Sequence, residues 1–141
     1  MQNDTVVRIG ALELRFLIDE TRSAGALVMF EFVVPTGARV PAPHFHRSVD
    51  EAVYGLAGTL TTTVDGQRHE IGPGKAALVP RGSVHHHENL HGETARALVV
   101  LTPGSIGRCY FEEVAKVVDV PGPPDAARMA EVMRRHGLVP A

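Results

Sequence analysis

The sequence predicts an all-β domain with C-terminal helices, and three observations carry that reading. Turn-forming residues punctuate the first hundred residues at short intervals, as in "PTGA", "VDGQ", "GPGK", "PRGS" and "TPGS". Between them lie short segments rich in apolar and β-branched residues, the pattern of an antiparallel sandwich or barrel. Beyond residue 105 the apolar spacing changes to that of helices.

The elements follow in chain order. "TVVRIGALELRFL" is strand-like, with residues 5–9 and 11–17 as two strand candidates. "ALVMFEFVV" (26–34) and "RALVVLT" (96–102) are nearly continuous apolar runs, as expected of strands buried on both faces. Phe30 and Phe32 share one face of the first run, where Phe16 can join them as core or as pocket wall. "TLTTTV" (59–64) leads into Asp65-Gly66, the strongest short hairpin signal. In "YFEEVAKVV" Phe111, Val114, Ala115 and Val118 recur on one helical face. Asp125 stands where a second helix needs its N-cap, and Ala126, Met129, Ala130 and Met133 form the apolar stripe of that helix. Gly137 is placed to end it.

At 141 residues the chain has the size of one domain, and no repeat or low-complexity segment divides it. The division expected is a barrel over residues 1–104 and a helical extension over 105–141, packed on the barrel or on a partner. A net charge of -2 with interspersed signs points away from nucleic acid and from anionic membranes. No apolar stretch approaches the ~20 residues of a membrane helix. "MQNDTVVRIG" lacks the basic and apolar regions of a signal peptide, and the single Cys109 forms no internal disulfide, so a cytoplasmic location is expected. Cys109 itself reads as a small buried apolar residue.

The unusual figure is eight histidines against two tyrosines and no tryptophan. They cluster in "PAPHFHRSVDEAVYGLAG" (41–58) and "VPRGSVHHHENLHG" (79–92). Alternation along a strand puts His44 and His46 on one face with Phe45 on the other. Glu51 returns to the same face if it opens the next strand after a short turn. In the second cluster His85 and His87 share a face and His86 points outward. Several imidazoles and a carboxylate inside an apolar barrel are costly unless they are paired or bind a metal. Imidazole with carboxylate suits a divalent transition metal, with Fe, Mn, Ni, Zn, Co and Cu all admitted. Solvated loop histidines are the alternative at this point. For His69, His91 and His136 a plain surface location is expected.

The spacing of the two clusters resembles the two motifs of the cupin superfamily. The first runs Gly37, six residues, His44-x-His46, four residues, Glu51, six residues, Gly58. The second runs Gly74, five residues, Pro80-x-Gly82, two residues, His85, three residues, Asn89. The second matches the family spacing throughout, and the first has one extra residue after its opening glycine. The resemblance implies a double-stranded β-helix, the small jelly-roll barrel. It also implies one divalent transition metal per chain, held by His44, His46, Glu51 and His85.

His87, beside His85 on the expected ligand face, reads as an alternate ligand, a hydrogen-bond partner of the ligands, a general base, or a rim histidine that touches only water. Gly55 stands where the family commonly carries a larger apolar residue. It either removes wall volume beside the metal or marks a bulge or close backbone approach. Arg81 reads as an exposed turn residue or as a contact for an anionic ligand at the rim.

Fold alone leaves several functions open. The resemblance to small quercetinase-like cupins implies a metal-dependent dioxygenase acting on a phenolic or enolisable small molecule, with Glu51 or His87 as proton acceptor. A metal-dependent isomerase, lyase or hydrolase without O₂ and a non-catalytic metal or small-molecule binding protein are the alternatives. A two-fold homodimer is expected, because a small barrel leaves strand edges to cover. Strands 5–9 and 11–17 are the elements expected to cross to the partner, unless residues 110–136 cap the edge within one chain.

Overall fold

The computed structural model describes residues 5–141 as two facing antiparallel sheets with two helices at one end. The strands are β1 (Thr5–Ile9), β2 (Leu12–Ile18), β3 (Val28–Val34), β4 (His44–His46), β5 (Asp50–Ala57) and β6 (Leu60–Val64). They continue with β7 (Gln67–Ile71), β8 (Ala76–Val79), β9 (His85–Glu88) and β10 (Ala95–Thr102). Helices α1 (Arg108–Val118) and α2 (Ala126–Arg135) follow, and β11 (Leu138–Pro140) closes the chain. One sheet has the order β1-β2-β3-β10-β5-β8 and the other β11-β4-β9-β6-β7. Neighbours far apart in sequence alternate between the sheets, as in a double-stranded β-helix.

Local chemistry explains the hairpin between β6 and β7. Asp65 and Gly66 both have positive φ (48° and 80°), the pair of left-handed residues a two-residue turn of this hand requires. Each face-forming strand then places alternate residues inward. In β3 Val28, Phe30, Phe32 and Val34 are buried while Met29, Glu31 and Val33 are only half-covered. β10 alternates in the same way. The expectation of strands buried on both faces is therefore wrong. These are outer-sheet strands with one core face, and their second apolar row, Leu98 and Val100, lies on the outer surface of the sheet.

The N-terminal strands lie on the sheet of their own chain: β1 pairs with β2, and β2 pairs with β3 from Glu13↔Val33 to Ile18↔Met29, with a register shift between Phe16 and Ile18. Helix α1 packs along β1, one of the two edge strands of this sheet. The most buried row of α1 is Tyr110, Val114 and Val117, with Phe111, Ala115 and Val118 flanking it. Its free N-terminal amides are met from a distant loop, where the Glu20 carboxylate accepts from the amides of Arg108 (2.9 Å) and Cys109 (3.1 Å). Cys109 is exposed on this helix, contrary to the buried position expected, because the inward row is set by Tyr110 and Val114.

In α2 Asp125 caps as predicted, accepting from Ala127 and Arg128. Gly137 ends the helix with φ +84°, and the chain turns back as β11, which pairs with β4 from Leu138↔His46 to Pro140↔His44. The final residues thus support the strand that carries two histidines. His136 is not a plain surface residue either: it bonds Glu113 and packs against the Tyr110 ring, tying α2 to α1.

Candidate metal centre

Two short strands of one sheet bring the histidine clusters together. β4 and β9 are neighbours, with His44 directly opposite His85. Alternation turns His44, His46, His85 and His87 to the barrel interior, where ring centroids of successive pairs lie 4.6–5.8 Å apart. Glu51 comes from β5 of the facing sheet and is buried at 6% exposure. One ligand atom from each of His44, His46 and His85 falls within 4.8 Å of the others. Glu51, His85 and His87 form a second such group, so His85 joins the two. The four motif positions are therefore adjacent, but Glu51 sits toward His85 and His87, not within the three-histidine group.

The turns that carry the motifs are tied to one another. Gly82 donates its amide to the His46 carbonyl (2.8 Å), and Gly37 donates to the Asn89 carbonyl (3.2 Å). Asn89, 2% exposed, donates to the carbonyls of Val34 and Glu93 and accepts from the His91 amide. Arg81 pairs with Asp50, which receives its backbone amide and its guanidinium, so it anchors the turn beside Glu51. Gly55 does not line the metal cavity; a Cβ there would meet the Gly72 carbonyl oxygen at 2.1 Å. Close backbone approach is its role.

Second partners fix the imidazoles. The Nδ1–H of His44 donates to the Ala42 carbonyl at 2.9 Å, and that of His85 to the Ser83 carbonyl at 3.0 Å, in the tautomer that leaves each Nε2 lone pair free. Burial lowers the pKa of His44 and His46 to about 4, helped by the neighbouring rings, and lowers that of His85 too. At neutral pH these are uncharged lone-pair donors. Burial pushes the Glu51 carboxyl up, but the imidazoles of His87, His85 and His46 outweigh it and hold the group well below the carboxylate range. It stays ionised.

His87 bridges two groups: its Nε2 lies 2.6 Å from Glu51 and its Nδ1 2.8 Å from the Thr62 hydroxyl. It is not a rim histidine in contact with water alone. Thr62 is fully buried and was not legible as part of the site, because only the register of β6 on β9 sets it opposite His87. His86 bonds Glu88 at 3.2 Å and is also among the residues that line the chamber, while His91 bonds Glu70 and His69 is exposed on β7.

The donor set fits a transition metal on an observation internal to the cluster. Among the described residues the Nδ1 of His46 is buried without a hydrogen-bond partner of normal geometry, although buried polar atoms nearly always have one. Three neutral imidazoles face one another with an anionic carboxylate alongside, a donor set whose desolvation a divalent cation would offset. The chamber measures about 70 Å³, and its other walls are apolar and aromatic side chains including Phe30, Phe32, Leu101 and Phe111.

Comparison with known proteins agrees with this architecture. The cupin domain family model matches residues 30–101. Quercetin 2,3-dioxygenase of Bacillus subtilis (strain 168) is 29% identical over 90 residues, which are 64% of this chain and 26% of that protein. The chain thus spans about a quarter of the length of that curated relative. Among solved structures, the polyketide cyclase RemF from Streptomyces resistomycificus is 31% identical with a TM-score of 0.60, over 72% of this chain and 79% of that one. A predicted oxalate decarboxylase from Thermotoga maritima matches with a TM-score of 0.63 at 18% identity, over 72% and 92% of the two chains, and supports the fold alone. With the family model covering half the sequence and both histidine motifs inside it, the chain belongs to the cupin family.

Proposed function

We propose that the protein is a metal-dependent enzyme of dioxygenase type, acting on a phenolic or enolisable organic molecule, with His44, His46, Glu51 and His85 holding one divalent ion. The observation that carries this reading is the convergence of three neutral imidazoles and an ionised carboxylate at one end of an otherwise apolar chamber. A divalent ion held there would supply a Lewis acid with open positions, which lowers the pKa of a bound hydroxyl. The chain's own residues do the remainder. The Glu51–His87 pair receives the hydroxyl proton, and Thr62 holds the His87 ring so that its Nε2 stays on Glu51. Phe32, whose ring lies 6.0 Å from that of His87, keeps water from the far side of the pair.

A second chemistry, ring closure or isomerisation without O₂, draws support from the cyclase relative, since this chain covers far more of that protein than of the dioxygenase. O₂ uptake by iron- or manganese-loaded protein on flavonols, catechols and β-diketones separates the two. Uptake above the metal-only rate that is lost in His87→Ala supports the dioxygenase. Substrate turnover with no uptake supports the second chemistry, and no turnover by any loaded form refutes both.

The same proposal includes a cytoplasmic homodimer. Tyr54, Leu56 and Leu78 are exposed on β5 and β8, an apolar sheet face of the kind a second copy covers. Light scattering giving 15.1 kDa at low micromolar concentration would refute the dimer.

A further inference from the structure

A second apolar cavity lies outside the barrel, between its end and the two helices. It encloses about 360 Å³, against about 70 Å³ for the chamber at the histidines. An apolar cavity of about 150 Å³ binds one benzene ring. The inner chamber is about half that size, so a molecule that bears a ring extends beyond it. Sites for small organic ligands run from about 300 Å³ upward, which the outer cavity reaches.

The two spaces adjoin. Ile9, Leu12 and Pro41 line both, so the two are neighbours along this wall. The near end of the outer cavity includes Ala42 and Pro140, and these are the residues that hold His44. The Ala42 carbonyl accepts from its Nδ1, and Pro140 is its partner in the strand register. His44 is also only half-buried, where His46 and His85 are buried. The far walls are Val114 and Val118 of α1 and Ala126, Met129, Ala130 and Met133 of α2. Arg39 is the single charged residue among those that line it, at an exposed position.

We propose that this cavity holds the apolar body of the substrate, a fused or linked aromatic molecule larger than one ring, while its reacting oxygens reach the metal centre past His44. The inference rests on the metal-dependent reading above and deepens it by naming the substrate class. A polyhydroxylated ligand such as a sugar is disfavoured, since the walls offer Arg39 and little else to replace its lost hydrogen bonds with water. The stripe Ala126, Met129, Ala130, Met133 is then a substrate wall as well as a packing face, and the small alanines leave the space open.

The test fills the cavity from α2, away from the histidines, with Ala126→Trp and Ala130→Trp made separately in the full chain. Three probes are titrated under nitrogen into zinc-loaded protein: quercetin, catechol and the naphthalene dye 1-anilinonaphthalene-8-sulfonate. The dye is also titrated into metal-free protein. Both variants should weaken quercetin and the dye at least tenfold, change catechol less than twofold, and keep full metal content and the parent melting temperature within a few degrees. Ala126 lies at the exposed first turn of α2, so at least that variant folds. Unchanged quercetin and dye affinity in a folded variant overturns the inference. So does conversion of a dimer to monomer by either substitution, which would assign the cavity to a second copy. Failure of the metal-dependent reading looks different: the dye still binds and is still lost in the variants, while no loaded form turns over any phenol or enol.

Discussion

The histidines inside the barrel and those outside it have the same side chain and opposite surroundings. His91 and His136 each face a carboxylate, Glu70 and Glu113, that is itself partly exposed. His86 faces Glu88 in the same way. Inside, His44 and His85 give Nδ1 to a backbone carbonyl, His46 has no well-formed Nδ1 partner among the described residues, and all three turn toward one another. The outer pairs are satisfied as they stand. The inner group brings three neutral imidazoles and a carboxylate close enough together to hold a cation. Histidine count alone therefore says little; what separates a ligand from an ordinary histidine is what occupies its second nitrogen.

The largest expected consequence is a pH effect confined to the inner group. An unfolded histidine titrates near 6.5, and folded His44 and His46 near 4, so between those values the unfolded chain binds more protons. Metal-free protein should lose stability as pH falls from 6.5 toward 4, by on the order of 3 kcal/mol for each of the two groups. The carboxyls of Glu70 and Glu113 are lowered by their histidine and arginine partners, so their contribution is present above the unfolded carboxyl value and fades only as pH drops below about 4.5. Denaturant melts at half-unit intervals separate the two. Constant stability from pH 7 to 5 would break the distinction, and His46→Gln should reduce the slope in that window.

Metal binding gives an effect of similar size. At a free ion concentration of about 100 Kd the folded state gains ~2.7 kcal/mol. For a chain of this length that is ~10 °C in melting temperature, at roughly 4 °C per kcal/mol. An unchanged melting curve after chelation, with metal loss confirmed, contradicts the inner site. The outer pairs should matter least. Glu113→Gln removes an exposed pair and should cost ~0.5 kcal/mol with no change in metal content. A loss above ~2 kcal/mol in an equilibrium melt would mean that the helices are held by this contact more than by Val114 and Met133.

Much of this was legible in the sequence wherever the cause is local. Asp65-Gly66 specifies its turn by backbone preference, Asp125 its cap by side-chain geometry, and alternation alone puts His44 with His46 and His85 with His87. The family spacing brought the two clusters together. What escaped depends on register between segments distant in the chain. Thr62 meets His87 only because β6 pairs with β9, and Arg81 meets Asp50 only because the turn folds over β5. Glu20 caps a helix that begins 88 residues later. Gly55 was ambiguous because nothing local reveals the Gly72 carbonyl against it. The apolar run of β3 suggested two buried faces, since composition does not distinguish a second core from an apolar outer surface.

The central claim is that the inner histidines hold a metal and the outer ones do not, and the metal content of purified variants tests it most directly. Protein prepared without added metal and analysed for its elements should carry close to one transition-metal ion per chain. His46→Ala and His85→Ala should each lose most of it, while His91→Ala and His136→Ala keep it. Full occupancy in folded His46→Ala, or equal loss in His91→Ala, would contradict the account.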